Sequence, residues 1–118
     1  MGPGFSTQLL DGVLERERAE REGRRIQLIK KVFAAIARLA QEILFEEAYL
    51  FGSIVKTQRF SKGSDVDIGF VGLRDEDFFK AMSFISREIG VEVDVIQLEG
   101  HRLEARVKRE GLKWTRKV

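Results

Sequence analysis

From Arg24 onward, apolar residues recur at steps of three and four: Ile26, Ile29, Phe33, Ile36, Leu39, Ala40 and Ile43. That spacing draws one stripe along a helix. Lys30, Lys31, Arg38 and Gln41 fall largely off it, so the pattern predicts a long amphipathic helix ending near Glu46. Then the period changes. "AYLFG", residues 48–52, is short, apolar and aromatic, and Gly52 bounds it, which predicts a buried strand. Ser53 is a favoured N-cap residue and predicts a short helix over "SIVKTQRF", residues 53–60. "SKGS" at 61–64 is a turn cluster, and "DVDIGFV", 65–71, is a second strand. Its alternation puts Asp65 and Asp67 on one face and Val66 and Ile68 on the other.

"DEDFFKAMSFISREIG", 75–90, predicts a helix with acidic residues in its first turn and Gly90 as its stop. Phe78, Phe79, Met82, Phe84 and Ile85 are its expected core positions. "VEVDVIQL", 91–98, alternates again, Val91, Val93 and Val95 against Glu92, Asp94 and Ile96. "HRLEARVKREGLKW", 101–114, predicts a last helix with Leu103 and Val107 inward and Gly111 near its end.

Ahead of these elements, "LLDGVLERERAEREGRR", 9–25, is charged and helix-prone, with Gly12 and Gly23 as expected breaks or frays. Residues 1–23 are thus expected to form a flexible or helical arm, and 24–118 one domain. The order of elements implies an α/β or α+β fold: a small mixed sheet of three or more strands with helices packed on it.

Composition narrows the chemistry. The chain has no cysteine and one histidine, which excludes disulfides and thiolate metal sites and argues against histidine-rich zinc sites. A metal here would be held by oxygens, which points to a hard cation such as Mg²⁺. No apolar run approaches the roughly 20 residues that span a bilayer, and no charged segment followed by an apolar one opens the chain. A soluble cytoplasmic protein without a membrane partner is the expectation. A net charge of +2, with 34% charged residues of both signs, is too balanced to argue nucleic-acid binding. The basic residues near the C-terminus, among them Arg102, Arg106 and Lys113, are expected to be a solvated face. His101 is expected to be solvated or locally bonded, and Trp114 to cap the core or face a partner.

Asp65 and Asp67 share a strand face among apolar neighbours, and two such carboxylates repel unless a cation sits between them. Mg²⁺ accepts two protein oxygens and keeps room for substrate phosphates. Asp94, on a strand expected to pair beside the first, is the natural third member. Three carboxylates from two strands can hold two divalent ions about 3.5–4 Å apart. Gly52 lets the backbone approach a ligand, Ser53 opens a helix start that favours phosphate, and Lys56 follows one turn on. Taken singly, a Gly-Ser pair is usually a turn, and an Asp-x-Asp pair usually a solvated strand face. The order and spacing of the whole set are what point to chemistry.

The run Gly52-Ser53, then Ser64-Asp65-Val66-Asp67-Ile68, then Asp94 resembles the polymerase-β-like nucleotidyltransferase superfamily, and the small size resembles its minimal (MNT) group. Many of that group are antitoxins encoded beside a HEPN-domain ribonuclease toxin. The resemblance implies that Asp65 and Asp67 bind two Mg²⁺ ions. It implies that Asp94 binds the catalytic one and helps deprotonate the acceptor, and that Gly52, Ser53, Lys56 and Ser64 bind the nucleotide. The implied reaction is transfer of AMP from ATP to a hydroxyl, in the antitoxin group a toxin tyrosine, with loss of pyrophosphate. The chain departs from the frequent Gly-Ser-x-Ala-Arg-Gly pattern. Lys56 stands in place of the arginine, without its bidentate fork, and Thr57 in place of the small residue. The alternatives are a non-catalytic module that masks its partner, and nucleotidyl transfer to RNA or a small molecule.

Overall fold

In a computed structural model, residues 7–57, 60 and 63–116 are described. Helix α1 (Thr7–Leu39) leads into strand β1 (Glu47–Phe51), a 3₁₀ turn (Gly52–Val55) and strand β2 (Val66–Val71). A second 3₁₀ turn (Asp75–Asp77) opens helix α2 (Phe78–Ile89), followed by β3 (Val93–Gln97), α3 (Glu104–Glu110) and β4 (Leu112–Trp114). The strands form one mixed sheet in the order β3-β2-β1-β4. β1 runs antiparallel to β2 and β4, and β2 runs parallel to β3, with α2 as the crossover. The expected α+β class is the observed one.

Alternation builds the core. Ala48 and Leu50 of β1, Val66, Ile68 and Phe70 of β2, and Val93 and Val95 of β3 all point to one face. There they meet Val32, Ile36 and Leu39 of α1 and Ala81, Ile85 and Ile89 of α2. A fully buried side chain of this size contributes about 1.5–3 kcal/mol, so this face dominates the stability. The other face carries a smaller cluster, Tyr49, Val71, Leu98 and Val107, with Phe51, Ile96 and Leu103 packed against it. Gly69 admits Leu98 to that cluster, because a Cβ at position 69 would lie 2.8 Å from the Leu98 side chain.

Five expectations are corrected. Helix α1 runs unbroken through Gly12 and Gly23, where strong helix formers on both sides outweigh the glycine penalty of about 1 kcal/mol each. It ends at Leu39, not near Glu46, because the chain must turn to bury Ile43 and Phe45. Phe79 is 73% exposed, since the buried stripe of α2 runs through positions 81, 85 and 89. Phe79 sits off that stripe, its ring edge-on to that of Phe78 with centroids 5.4 Å apart.

The last predicted helix is split. At Gly111 a Cβ would lie 2.7 Å from both Leu50 O and Val107 O, so α3 stops and a three-residue strand pairs with β1. Trp114 thereby enters the core, its ring 5.4 Å from Phe45. The predicted helix from Ser53 is only a 3₁₀ turn starting at Gly52, with Lys56 already extended. Residues 58, 59, 61 and 62 of the predicted helix and turn lie outside the described residues.

Candidate active site

Strand register sets the site. Asp67 is the Cα partner of Asp94 across the parallel β2–β3 pair, and of Phe51 across the antiparallel β1–β2 pair. Directly paired residues project from the same face. One row across the sheet therefore reads Asp94, Asp67, Phe51, on the face opposite the main core. Asp65 precedes the first residue of β2, and the backbone N–H of Val66 donates to Glu92 O at 3.0 Å, tying the start of β2 to the start of β3.

Asp67 is half-buried, while Asp65 and Asp94 are exposed. Burial pushes the Asp67 carboxyl above the ordinary carboxylate range, and the charges of Asp94 and then Asp65 push it further. The sequence-predicted triad is thus brought near Asp67, whose carboxyl feels the charges of Asp94 and Asp65.

The carboxylates are nonetheless spread wider than a ligand shell. Among the described residues no three Asp, Glu, His or Cys side chains group closely enough to enclose a metal ion. The donor set still suits a hard cation: every available ligand is an oxygen, and a positive ion would offset the burial and, after it, the neighbouring charges that raise Asp67. In the kind of donor the residues present fit Mg²⁺, while among the described residues the side chains do not close around an ion.

Gly52 stands against the triad. It takes φ +80°, and a Cβ built on it would overlap Asp67 Oδ2. The chain passes so close to the carboxylate that only glycine is accommodated. The turn that follows is held from behind. Arg25 on α1, gripped by Glu22 (Nε to Oε1 3.0 Å), donates from its guanidinium to Ile54 O at 2.7 Å, and the Ile54 side chain is fully buried.

Ser53 lies within this turn and Lys56 just beyond it, both half-buried, and Ser64 is half-buried ahead of β2. Of the expected phosphate-binding residues, Gly52 lies directly against the Asp67 carboxylate. The turn is a single 3₁₀ turn, so the helix start expected at Ser53 contributes no extended row of free N–H groups. Beside Gly52 a cavity of about 230 Å³ opens between the end of β1 and α3, with Lys56 and Arg106 in its wall. His101 is locally bonded as expected, its Nδ1 accepting from the Leu103 N–H at 3.0 Å.

Sequence reasoning missed Phe51 and Arg25. Phe51 had a signal, since it alternates with Tyr49 off the core face of β1. Arg25 had none, because its acceptor lies 29 residues away.

A family model described as polymerase beta, nucleotidyltransferase, matches residues 29–113. No curated protein matches. Among solved structures, a candidate nucleotidyltransferase from Sulfolobus solfataricus is 31% identical over 78% of this chain and 84% of its own, with a TM-score of 0.51. A toxin–antitoxin structure with AMP-PNP is 18% identical over 72% of this chain and 73% of its own, with a TM-score of 0.59. The toxin–antitoxin MntA-HpeT in mutant form is 17% identical over 72% and 73%, with a TM-score of 0.58. The last two likenesses are of fold.

Proposed function

The chain belongs to the polymerase β nucleotidyltransferase family, and on that premise we propose that it transfers AMP from ATP to a tyrosine hydroxyl of a partner HEPN-type ribonuclease toxin, silencing it as an antitoxin. One observation carries the reading. Asp67 and Asp94 stand side by side on adjacent strands, Asp65 lies within reach of their charge, and Gly52 is pressed onto the Asp67 carboxylate. The antitoxin role rests on likeness to the toxin–antitoxin structures, one of which holds an ATP analogue.

In this reading Asp65 and Asp67 would hold two Mg²⁺ ions, and Asp94 would help hold the catalytic one. Bound Mg²⁺ supplies neutralising charge to the phosphates and lowers the pKa of the acceptor hydroxyl. The turn at Gly52 and Ser53, with Ser64 and the Lys56 ammonium, orients the triphosphate. The acceptor oxygen bonds to the α-phosphorus while the bond from that phosphorus to the bridging oxygen breaks. Pyrophosphate leaves, and the hydroxyl proton passes through Asp94 to water.

The test is transfer of label from [α-³²P]ATP, with Mg²⁺, to the product of the adjacent gene. Label should appear on a tyrosine of that product and vanish with Asp65→Asn plus Asp67→Asn. Full labelling by the double variant would overturn the assigned roles.

A second reading, neutralisation by masking, is favoured by the outer part of α1, where Leu9, Leu10, Val13 and Leu14 are exposed. If a variant with Asp65, Asp67 and Asp94 all changed to Asn still protects cells from the partner, masking is sufficient.

A further inference from the structure

The cavity beside Gly52 has walls unlike the carboxylate cluster next to it. Phe51, Val55, Leu103 and Val107 line it with apolar surface, and Lys56 and the paired Arg106 and Glu110 bring charge to its rim. Arg106 is not buried. It is 60% exposed and tethered by its own helix, Nε lying 3.3 Å from Glu110 Oε2. An apolar slot with a few charged groups around it suits a flat heterocycle, which an aromatic wall and a guanidinium can both stack against.

Its place in the sheet ties it to the carboxylates. Phe51 is the cross-strand partner of Asp67, and Gly52 touches Asp67 with one side of its backbone while forming part of the cavity wall. In the order β3-β2-β1-β4, Asp94 and Asp67 lie on the β3 and β2 side, and the cavity lies on the β1 side against α3. A molecule with phosphates at Gly52 and Asp67 therefore has an apolar receptor for its other end directly across Gly52. Its attacking partner approaches from the side of Asp94.

Size makes the same division. At about 230 Å³ the cavity is smaller than the roughly 300 Å³ at which pockets begin to hold whole ligands, so it takes one ring system and leaves the phosphates outside.

We propose that the cavity between Phe51 and α3 is the nucleobase subsite of this protein, with the base lying against Phe51 and Leu103 and the Arg106 guanidinium covering it. The assignment rests on the nucleotidyl-transfer reading, because it takes the phosphates to lie at Gly52 and Asp67. It adds that the base end contributes to affinity through residues that touch neither metal nor phosphate.

The experiment is a calorimetric titration of the full chain with two Mg²⁺-loaded probes: α,β-methylene-ATP, whose bridge cannot be cleaved, and inorganic tripolyphosphate, which has no base. Leu103→Trp fills the cavity, and Arg106→Ala removes its cover at an exposed position, where surface changes cost little stability. Leu103→Trp should weaken the nucleotide analogue by about tenfold, the scale of one base stack, and Arg106→Ala by a few-fold. Both variants should leave tripolyphosphate within about twofold of the unsubstituted protein. Asp67→Asn should weaken both probes.

Overturning results are clear in each arm. If the unsubstituted protein binds the two probes equally, or if Arg106→Ala and a folded Leu103→Trp leave the analogue unchanged, the base does not sit there and the nucleotidyl-transfer reading survives. If the cavity variants weaken both probes alike, the cavity belongs to the phosphate end and the proposal also fails. If the unsubstituted protein binds neither probe, the underlying reading falls, and this assignment with it.

Discussion

Gly52 and Asp67 occupy one another's space: at φ +80° the Gly52 backbone crosses the end of β1 so closely that an added Cβ would overlap Asp67 Oδ2 and lie 3.4 Å from its Cγ. Gly52→Ala is therefore opposed twice, by the left-handed backbone and by the carboxylate. Loss of stability should be about 1–2 kcal/mol from the backbone alone, and the overlap adds to it. Pairing it with Asp67→Gly should recover the overlap part but not the backbone part, a coupling that urea denaturation of the single and double variants would resolve. Equal losses with and without the Asp67 side chain would show that the two do not press on each other.

The three acidic side chains should make the fold less stable as they make it more useful. Asp67 is held above its ordinary carboxylate range by burial and by two neighbouring charges, so its ionised form is disfavoured in the native state. Asp67→Asn and Asp94→Asn should each leave stability at neutral pH without Mg²⁺ unchanged or raised, while abolishing nucleotidyl transfer. Thermal melts beside a transfer assay check both halves. A marked fall in melting temperature for Asp67→Asn would contradict the repulsion.

How much of this was legible depended on range. The strands at β1, β2 and β3 could be read because alternation is local, and the pairing of Asp65 with Asp67 on one face follows from the same two-residue period. Asp94 could be nominated from its own alternation. That it stands beside Asp67 is a matter of parallel register, set by the way Val66 and Val93 share the core. β4 could not be read. It has three residues, and the burial of Trp114 depends on Ala48 lying opposite it across the sheet. Phe51 could be placed off the core face by its alternation with Tyr49, but its row with Asp67 and Asp94 exists only once the sheet is assembled.

Phe79 and Phe70 test the corrected core directly. Phe79 is 73% exposed and Phe70 fully buried, with its ring 5.0 Å from that of Phe45. Phe70→Ala should cost about 3–5 kcal/mol through lost burial and the cavity left behind. Phe79→Ser should stay within about 0.5 kcal/mol, as surface changes do. Chemical denaturation of the two variants provides the comparison, and similar losses would mean that α2 is rotated from the position described.

Acid should find the pair that joins β1 to β4. Glu47 accepts from Lys113 Nζ at 3.1 Å and from the Tyr49 hydroxyl at 3.1 Å. The Lys113 contact, and then Tyr49, hold the Glu47 carboxyl below its ordinary value of 4.5. A carboxyl lowered in the folded state adds stability above its unfolded pKa, and that stability is lost as pH falls through the folded one. Glu47→Gln should therefore be less stable than the unsubstituted protein near neutrality, by less than about 1 kcal/mol for so open a pair. The difference should close as pH drops below 4.5, the ordinary value for Glu47. A gap that held constant down to acid pH would place the effect of Gln elsewhere than in the ion pair.

Gly12 and Gly23 sit in the same helix, each with nothing within 4 Å of an added Cβ, yet they should respond differently to alanine. Intrinsic propensity gives alanine an advantage of about 0.8–1 kcal/mol over glycine in a helix interior. That advantage reaches the global stability only if the local helix melts with the core. Residues 8–21 are exposed throughout and can fray alone, whereas position 23 lies between Glu22 and Arg25, whose ion pair steadies the bond to Ile54 O. Gly23→Ala should raise the unfolding free energy by most of the propensity difference. Gly12→Ala should leave it nearly unchanged while slowing amide hydrogen exchange around position 12. Equal stabilisation by both would show that α1 unfolds as one unit with the domain.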